Sequence, residues 1–333
     1  MSYQETDQSL IRERTTIPVN ISFAPLDYDK IKRFLIESED ELKICATLQA
    51  LRWRISKTHT NFQRNEVLHT YWFYDILGIL NEDQSLLMNL LNKSRRILAY
   101  TVFLINTMAS VPVGRNYLIK CESILDTIFA VLLNEKSETA IRQQAIVAIQ
   151  RFSLRHRCQN KIIEMDMIKY VVYILKYELN TLSDYTLEYC TALLMNLTLR
   201  KRGKDKCEDP NLELLHVLNE LLEHENDQIR TYVNGTLYSI FRRKSLKAQA
   251  KELGMDEILQ YLIQNMQPNE DHIKRQIQYI LGQLAEDEED SEESSDDEAD
   301  LAEDEGDEPE EEGEGEDEEE GELIGKLINL KII

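Results

Sequence analysis

A phrase recurs along this chain at a nearly fixed interval. Ile97 opens ILAYTVFLINTMAS and Ile141 opens IRQQAIVAIQRFSL. Thr186 opens TLEYCTALLMNLTL, Ile229 opens IRTYVNGTLYSIFR and Ile273 opens IKRQIQYILGQLA. The intervals are 44, 45, 43 and 44 residues. Between these phrases lies a second recurrent element: SILDTIFAVLL (123–133), MIKYVVYILK (167–176), NLELLHVLNELL (211–222) and DEILQYLIQ (256–264). Apolar residues repeat in both at i, i+3, i+4 and i+7, the spacing of an amphipathic helix. Breakers are scarce: between Leu26 and Ala285 the only prolines are Pro112, Pro210 and Pro268, each between apolar runs. Val171 to Leu175 could be strand by propensity alone, but its place in the repeat makes it helix.

A period of 40–47 residues, with two or three helices per unit, is that of armadillo and HEAT arrays. One unit cannot bury its apolar faces alone, whereas stacked units share a continuous core. The fold class expected is all-α: an armadillo-type right-handed α-solenoid. Residues 1–26 read as a flexible lead, 27–91 as an irregular N-terminal helical cap and 92–285 as the repeats. Small residues inside the long helix (Ala145, Ala148, Ala192, Gly235) are expected where a neighbouring helix approaches closely. Gly235 would cost roughly 1 kcal/mol in an exposed helix. Gly203 and Gly254 are expected at helix ends.

The net charge of −23 is localised. Of the 61 acidic residues, 26 lie within 286–322, which holds no Lys or Arg; 35 remain elsewhere against 38 basic residues. That segment reads as a disordered acidic tail, with too few apolar residues to offset ordering entropy. Residues 323–333, LIGKLINLKII, form a short apolar terminus. Five cysteines, none at C-x-x-C spacing, suggest neither a disulfide framework nor a zinc site. With no secretory h-region and no membrane-length apolar run, a reducing cytoplasmic or nuclear setting is expected.

No catalytic, cofactor or metal motif is present: no glycine-rich phosphate loop, no G-x-S-x-G and no H-E-x-x-H. The six histidines are scattered. No enzyme activity, cofactor, small-molecule substrate, specific nucleic acid or membrane span is therefore expected. Armadillo proteins that hold extended peptides use an Asn ladder on the long helix, with a Trp four residues earlier. Here Thr107, Arg151, Asn196, Ser239 and Gln283 take the Asn position, and Phe103, Val147, Ala192, Gly235 and Tyr279 the Trp position. With one Asn and no Trp, the import-receptor ladder is not expected, but Arg151, Asn196, Ser239 and Gln283 stand as candidate partner-binding residues. Arg200, Lys201, Arg202 and Lys204 follow one long helix, and Arg242, Arg243 and Lys244 follow the next. Stacked, they would form a positive edge for an acidic partner or for the tail itself; the bland alternative is cations favoured at helix C-termini. Ser294 and Ser295, each with an acidic residue three positions on, are candidate phosphorylation sites that would strengthen the tail's competition for that edge.

LSDYTLEYCTALLMNLTLR (182–200), LLEHENDQIRTYVNGTLYSI (221–240), GMDEILQYLI (254–263), IKRQIQYILGQL (273–284) and LQALRWRIS (48–56) resemble the armadillo repeat-containing protein 9 family. The resemblance covers roughly residues 26–300. It implies a non-catalytic scaffold for cilium assembly and stability, in cytoplasm and cytoskeleton at the centriole, ciliary basal body and cilium. Its implied partners are ciliary TOG-domain and other microtubule-associated proteins. That family has a LisH dimerisation motif and a coiled coil ahead of this region. Neither is found after Met1, and the apolar ending differs from the family's continuation, as a partial or mis-predicted gene model would give. The acidic run alone supports a rival reading: a nuclear adaptor or chaperone for basic clients such as histones.

Overall fold

The computed structural model describes residues 26–80, 85–267 and 270–285. Among these residues all regular structure is helical: seventeen α-helices and two short 3-10 turns. They form two compact units divided between Phe152 and Ser153.

The first unit holds α1 (Tyr28–Glu37), α2 (Glu41–Ser56), α3 (Asn61–Phe73), α4 (Ser85–Asn92), α5 (Arg95–Ala109), α6 (Pro112–Leu118), α7 (Ile124–Asn134) and α8 (Ala140–Phe152). The second holds α9 (His156–Glu164), α10 (Met167–Glu178), α11 (Asp184–Thr198), α12 (Lys201–Cys207), α13 (Leu214–Leu221), α14 (Asp227–Ile240), α15 (Lys244–Glu252), α16 (Met255–Asn265) and α17 (Asp271–Ala285).

Side-chain caps start the long helices. Ser94 accepts from the Ile97 amide, Ser183 from that of Thr186 and Asn226 from that of Gln228. Thr139 does the same for Arg142 and Asp40 for Lys43. Each cap satisfies an amide that the first helical turn leaves unpaired.

Long helices stack on long helices. In the first unit α5 packs along both α2 and α8; in the second α14 packs along both α11 and α17. The stack thus begins at α2, inside the segment expected to be an irregular cap. The cap residues explain why the period hid it. Thr139, Ser183 and Asn226 follow their predecessors by 45, 44 and 43 residues, whereas Ser94 follows Asp40 by 54. The insertion falls around α3, which has 13 residues where the equivalent α6 has 7.

A short helix turns off the end of α5 and of α11, and backbone contact fixes each elbow. A β-carbon on Gly114 would stand 2.0 Å from the Met108 carbonyl oxygen. On Gly203 it would stand 1.9 Å from that of Leu197. Gly203 therefore does not end a helix, as its position had suggested; it lies within α12, where the preceding long helix leaves no room for a side chain. Gly254 does follow a helix end, after α15, at φ +64°. After α5 and α8 a buried donor takes up a terminal carbonyl. Arg115 Nη1 donates to Ala109 O at 3.0 Å and Gln159 Nε2 to Ser153 O at 2.6 Å. Gly235 meets its expectation: a β-carbon there would stand 2.7 Å from Met195 Sδ, so α14 crosses α11 at close range.

Candidate binding surface

The long helices of the second unit are rich in tyrosine. Tyr185 and Tyr189 meet edge to face on α11, with ring centroids 5.0 Å apart. Tyr232 and Tyr238 of α14 pack with Leu199 against Met195. Equivalent positions on the three helices carry Ala192 and Gly235, both buried, and Tyr279, 38% exposed. A β-carbon on Gly282 would meet nothing within 4 Å.

The long helices of the first unit are cationic. The Arg52 guanidinium of α2 lies 5.6 Å from the ring centroid of Phe103, which stands on α5 where a peptide ladder has Trp. Burial, opposed by Tyr100, lowers the Arg52 pKa. Arg96, exposed on α5, lies close enough to Cys45 of α2 to oppose the rise in its thiol pKa. Sequence reasoning missed both arginines, although a signal was present: the α5 and α8 stretches contain no carboxylate.

Three of the four expected ladder residues are turned inward. Arg151 Nη1 donates to the Asn106 carbonyl and to Asn106 Oδ1 at 2.5 and 2.8 Å. Asn196, 1% exposed, donates to Ser153 Oγ at 2.8 Å. Ser239, 6% exposed, donates to Thr198 O at 2.6 Å. These bonds span 41 to 45 residues, about one period. The expectation that Asn196 and Ser239 greet a partner is corrected: both side chains are buried. Thr107 bonds its own helix at Phe103 O, and Gln283 is half-buried.

The expected positive edge is corrected as well. Arg202 pairs with Glu164 at 3.0 Å, and Arg243 with Asp205 and Glu208 at 2.6 and 3.1 Å. Lys206 pairs with Asp166 at 2.5 Å. Arg200 Nε donates to Gln159 Oε1, and Lys204 is only 2% exposed. The cations of one short helix find carboxylates on the short-helix turn one repeat earlier. The edge is therefore mostly an ion-pair seam, with Arg242 and Lys244 exposed and Lys201 half-buried. Ser294, Ser295 and the acidic tail lie outside the described residues.

Burial pushes the Cys45 thiol up to about 11 and the Cys207 thiol up to about 12. All five cysteines are buried, and none is in a disulfide. Among the described residues no group of three His, Cys, Asp or Glu side chains could hold a metal ion. No described helix is long and apolar enough to cross a membrane.

Solved structures of similar fold include designed proteins. A computationally designed armadillo repeat protein for modular peptide recognition superposes with a TM-score of 0.63, at 18% identity, over 77% of this chain and 99% of its own. A designed armadillo protein solved with the peptide (KR)4 gives 0.60 at 15% identity, over 78% and 100%. At these identities the likeness establishes the armadillo fold alone. Sequence relatives are nearer. LisH domain-containing protein ARMC9 of Bos taurus is 41% identical over 276 residues, covering 81% of this chain and 41% of the relative. The Homo sapiens protein is 40% identical over 276 residues, covering 81% and 33%. That of Danio rerio is 38% identical over 269 residues, covering 80% and 32%. The chain thus spans a third to two fifths of the length of these relatives. The family model for the ARM repeats of LisH domain-containing protein ARMC9 matches residues 162–285. By these matches, the armadillo region of this chain belongs to the LisH domain-containing protein ARMC9 family.

Proposed function

We propose that this chain is a non-enzymatic scaffold for cilium assembly and stability. It would work at the basal body, centriole and axoneme, docking microtubule-associated partners, TOG-domain proteins among them, on its long-helix face. The observation that carries this reading is the 38–41% identity to LisH domain-containing ARMC9 proteins over about four fifths of the chain. The fold adds support, because a stack of repeats offers an extended surface for protein partners. The test is to tag the full chain in a ciliated cell. Enrichment at basal bodies or along cilia is expected; exclusion from both would refute the reading. The 26 carboxylates of residues 286–322 favour a second role, holding basic clients such as histones. Replacing those carboxylates by amides should abolish histone binding and leave targeting intact.

A further inference from the structure

We propose that the long-helix face of the first unit docks an extended acidic segment of a partner protein, whose carboxylates are received by Arg52 and Arg96. The proposal rests on the reading of that face as the docking surface, and it names the partner's chemistry.

Charge is the first observation. The helices α5 and α8 carry Arg95, Arg96, Arg142 and Arg151 and no Asp or Glu. The neighbouring α2 sets Lys43, Arg52 and Arg54 against Glu41 alone. The long helices of the second unit are mixed: Asp184, Glu188, Asp227 and Asp271 stand against Arg230, Lys274 and Arg275.

Several of these cations are occupied. Lys43 pairs with Asp40 at 2.9 Å and Arg95 with Glu135 at 2.8 Å. Arg54 is buried and bonds Tyr28 and Tyr71; Arg142 is buried. Arg52 and Arg96 have no carboxylate partner among the described residues.

Arg52 is also held in place. Its contact with the Phe103 ring orients the planar fork, which then needs little further ordering to grip a carboxylate. Half-buried, it is a cation whose surroundings penalise its charge, and an incoming carboxylate would relieve that cost.

Spacing identifies an extended segment. Arg96 is within electrostatic reach of Cys45, and Arg52 lies over Phe103. On each helix the two positions are seven residues apart, two turns or about 10 Å. An extended chain covers that distance in about three residues. Two cations so placed match an acid-rich peptide better than a nucleic acid, whose binding depends on neutralising many phosphates.

The test titrates the full chain into a fluorescein-labelled poly-glutamate peptide, read by anisotropy at low and physiological salt. Saturable binding is expected. Arg52→Gln and Arg96→Gln should each weaken it about tenfold, the scale of a lost charged hydrogen bond. Arg275→Gln should leave it unchanged, and Arg52→Lys should fall between wild type and Arg52→Gln. Circular dichroism melts confirm that each variant is folded. Equal affinity of wild type and the Arg52→Gln, Arg96→Gln double variant would overturn the proposal. A parallel full-length chain, with amides in place of the carboxylates of 286–322, separates the alternatives. Binding by that chain alone would assign the surface to the protein's own tail and overturn the partner; binding by neither chain would overturn the site. These in vitro readouts are independent of ciliary targeting, so either reading can fail without the other.

Discussion

The backbone of Gly203 rests against the carbonyl of Leu197, so closely that a β-carbon there would stand 1.9 Å from the oxygen. A carbonyl in a packed helix cannot withdraw by the required ångström without moving the helix. Gly203→Ala should therefore destabilise the protein by about 2 kcal/mol or more, the range of overpacked cores. Gly114→Ala, at 2.0 Å from Met108 O, should do the same. Urea denaturation measures both.

The same substitution at Gly235 should behave differently. There the obstacle is Met195 Sδ at 2.7 Å, the far part of a flexible side chain. Repacking costs something, but alanine regains about 1 kcal/mol of helix propensity. Gly235→Ala should fall within about 1 kcal/mol of wild type, whereas Gly235→Leu should be strongly destabilising. A Gly235→Ala variant as unstable as Gly203→Ala would contradict this account of the crossing.

Ser239→Ala should lower stability by about 1 kcal/mol through loss of its bond to Thr198 O. Asn196→Ala should cost more, about 2 kcal/mol, because it removes a fully buried bond to Ser153 Oγ and leaves a cavity. Partner binding by the folded variants should be unchanged, since neither side chain reaches the surface. Thermal melts paired with a pull-down distinguish this from a groove role, in which binding falls and stability holds.

Native thiol chemistry should be nearly silent. With all five cysteines buried, and the Cys45 and Cys207 thiols pushed up to about 11 and 12, an aromatic disulfide reagent at pH 8 should react slowly. In guanidinium it should report five thiols at once. A rapid native burst would mean that one of these helices opens readily.

Acid should loosen the seams between repeats. The Gln267 amide, and next the Arg230 guanidinium, hold the Glu270 carboxyl below its usual range. Lys176 does the same for Glu213. A carboxylate whose pKa is depressed by folding stabilises above its unfolded value, here about 4.5, and loses that contribution as pH falls through the folded value. Melting temperature should therefore drop below about pH 4.5. Glu270→Gln should be less stable than wild type at pH 7 and converge with it in acid; a constant gap would show that its charge is irrelevant.

The repeat was legible because its determinants are local: apolar spacing, scarce breakers, and a small residue at position 235 for a close crossing. The rest depends on partners about one period away. Asn196 reads the same whether its amide meets a bound peptide or Ser153, and only packing decides. Arg202 and Arg243 form a basic cluster when counted along the chain, but Glu164 and Asp205, 38 residues earlier, turn it into pairs. The first long helix was read as part of an irregular helical cap and not of the stack, because a longer α3 displaced it from the register.

The bonds of Arg151, Asn196 and Ser239 to the preceding repeat also bear on synthesis. Each closes a loop of 41 to 45 residues, so its partner has already been made when the donor emerges from the ribosome. Within each unit a long helix can be latched to its predecessor within about one further period of translation, with no wait for distant sequence. Assembly in this order is vectorial, and the nascent chain exposes little more than one unfinished apolar edge at a time.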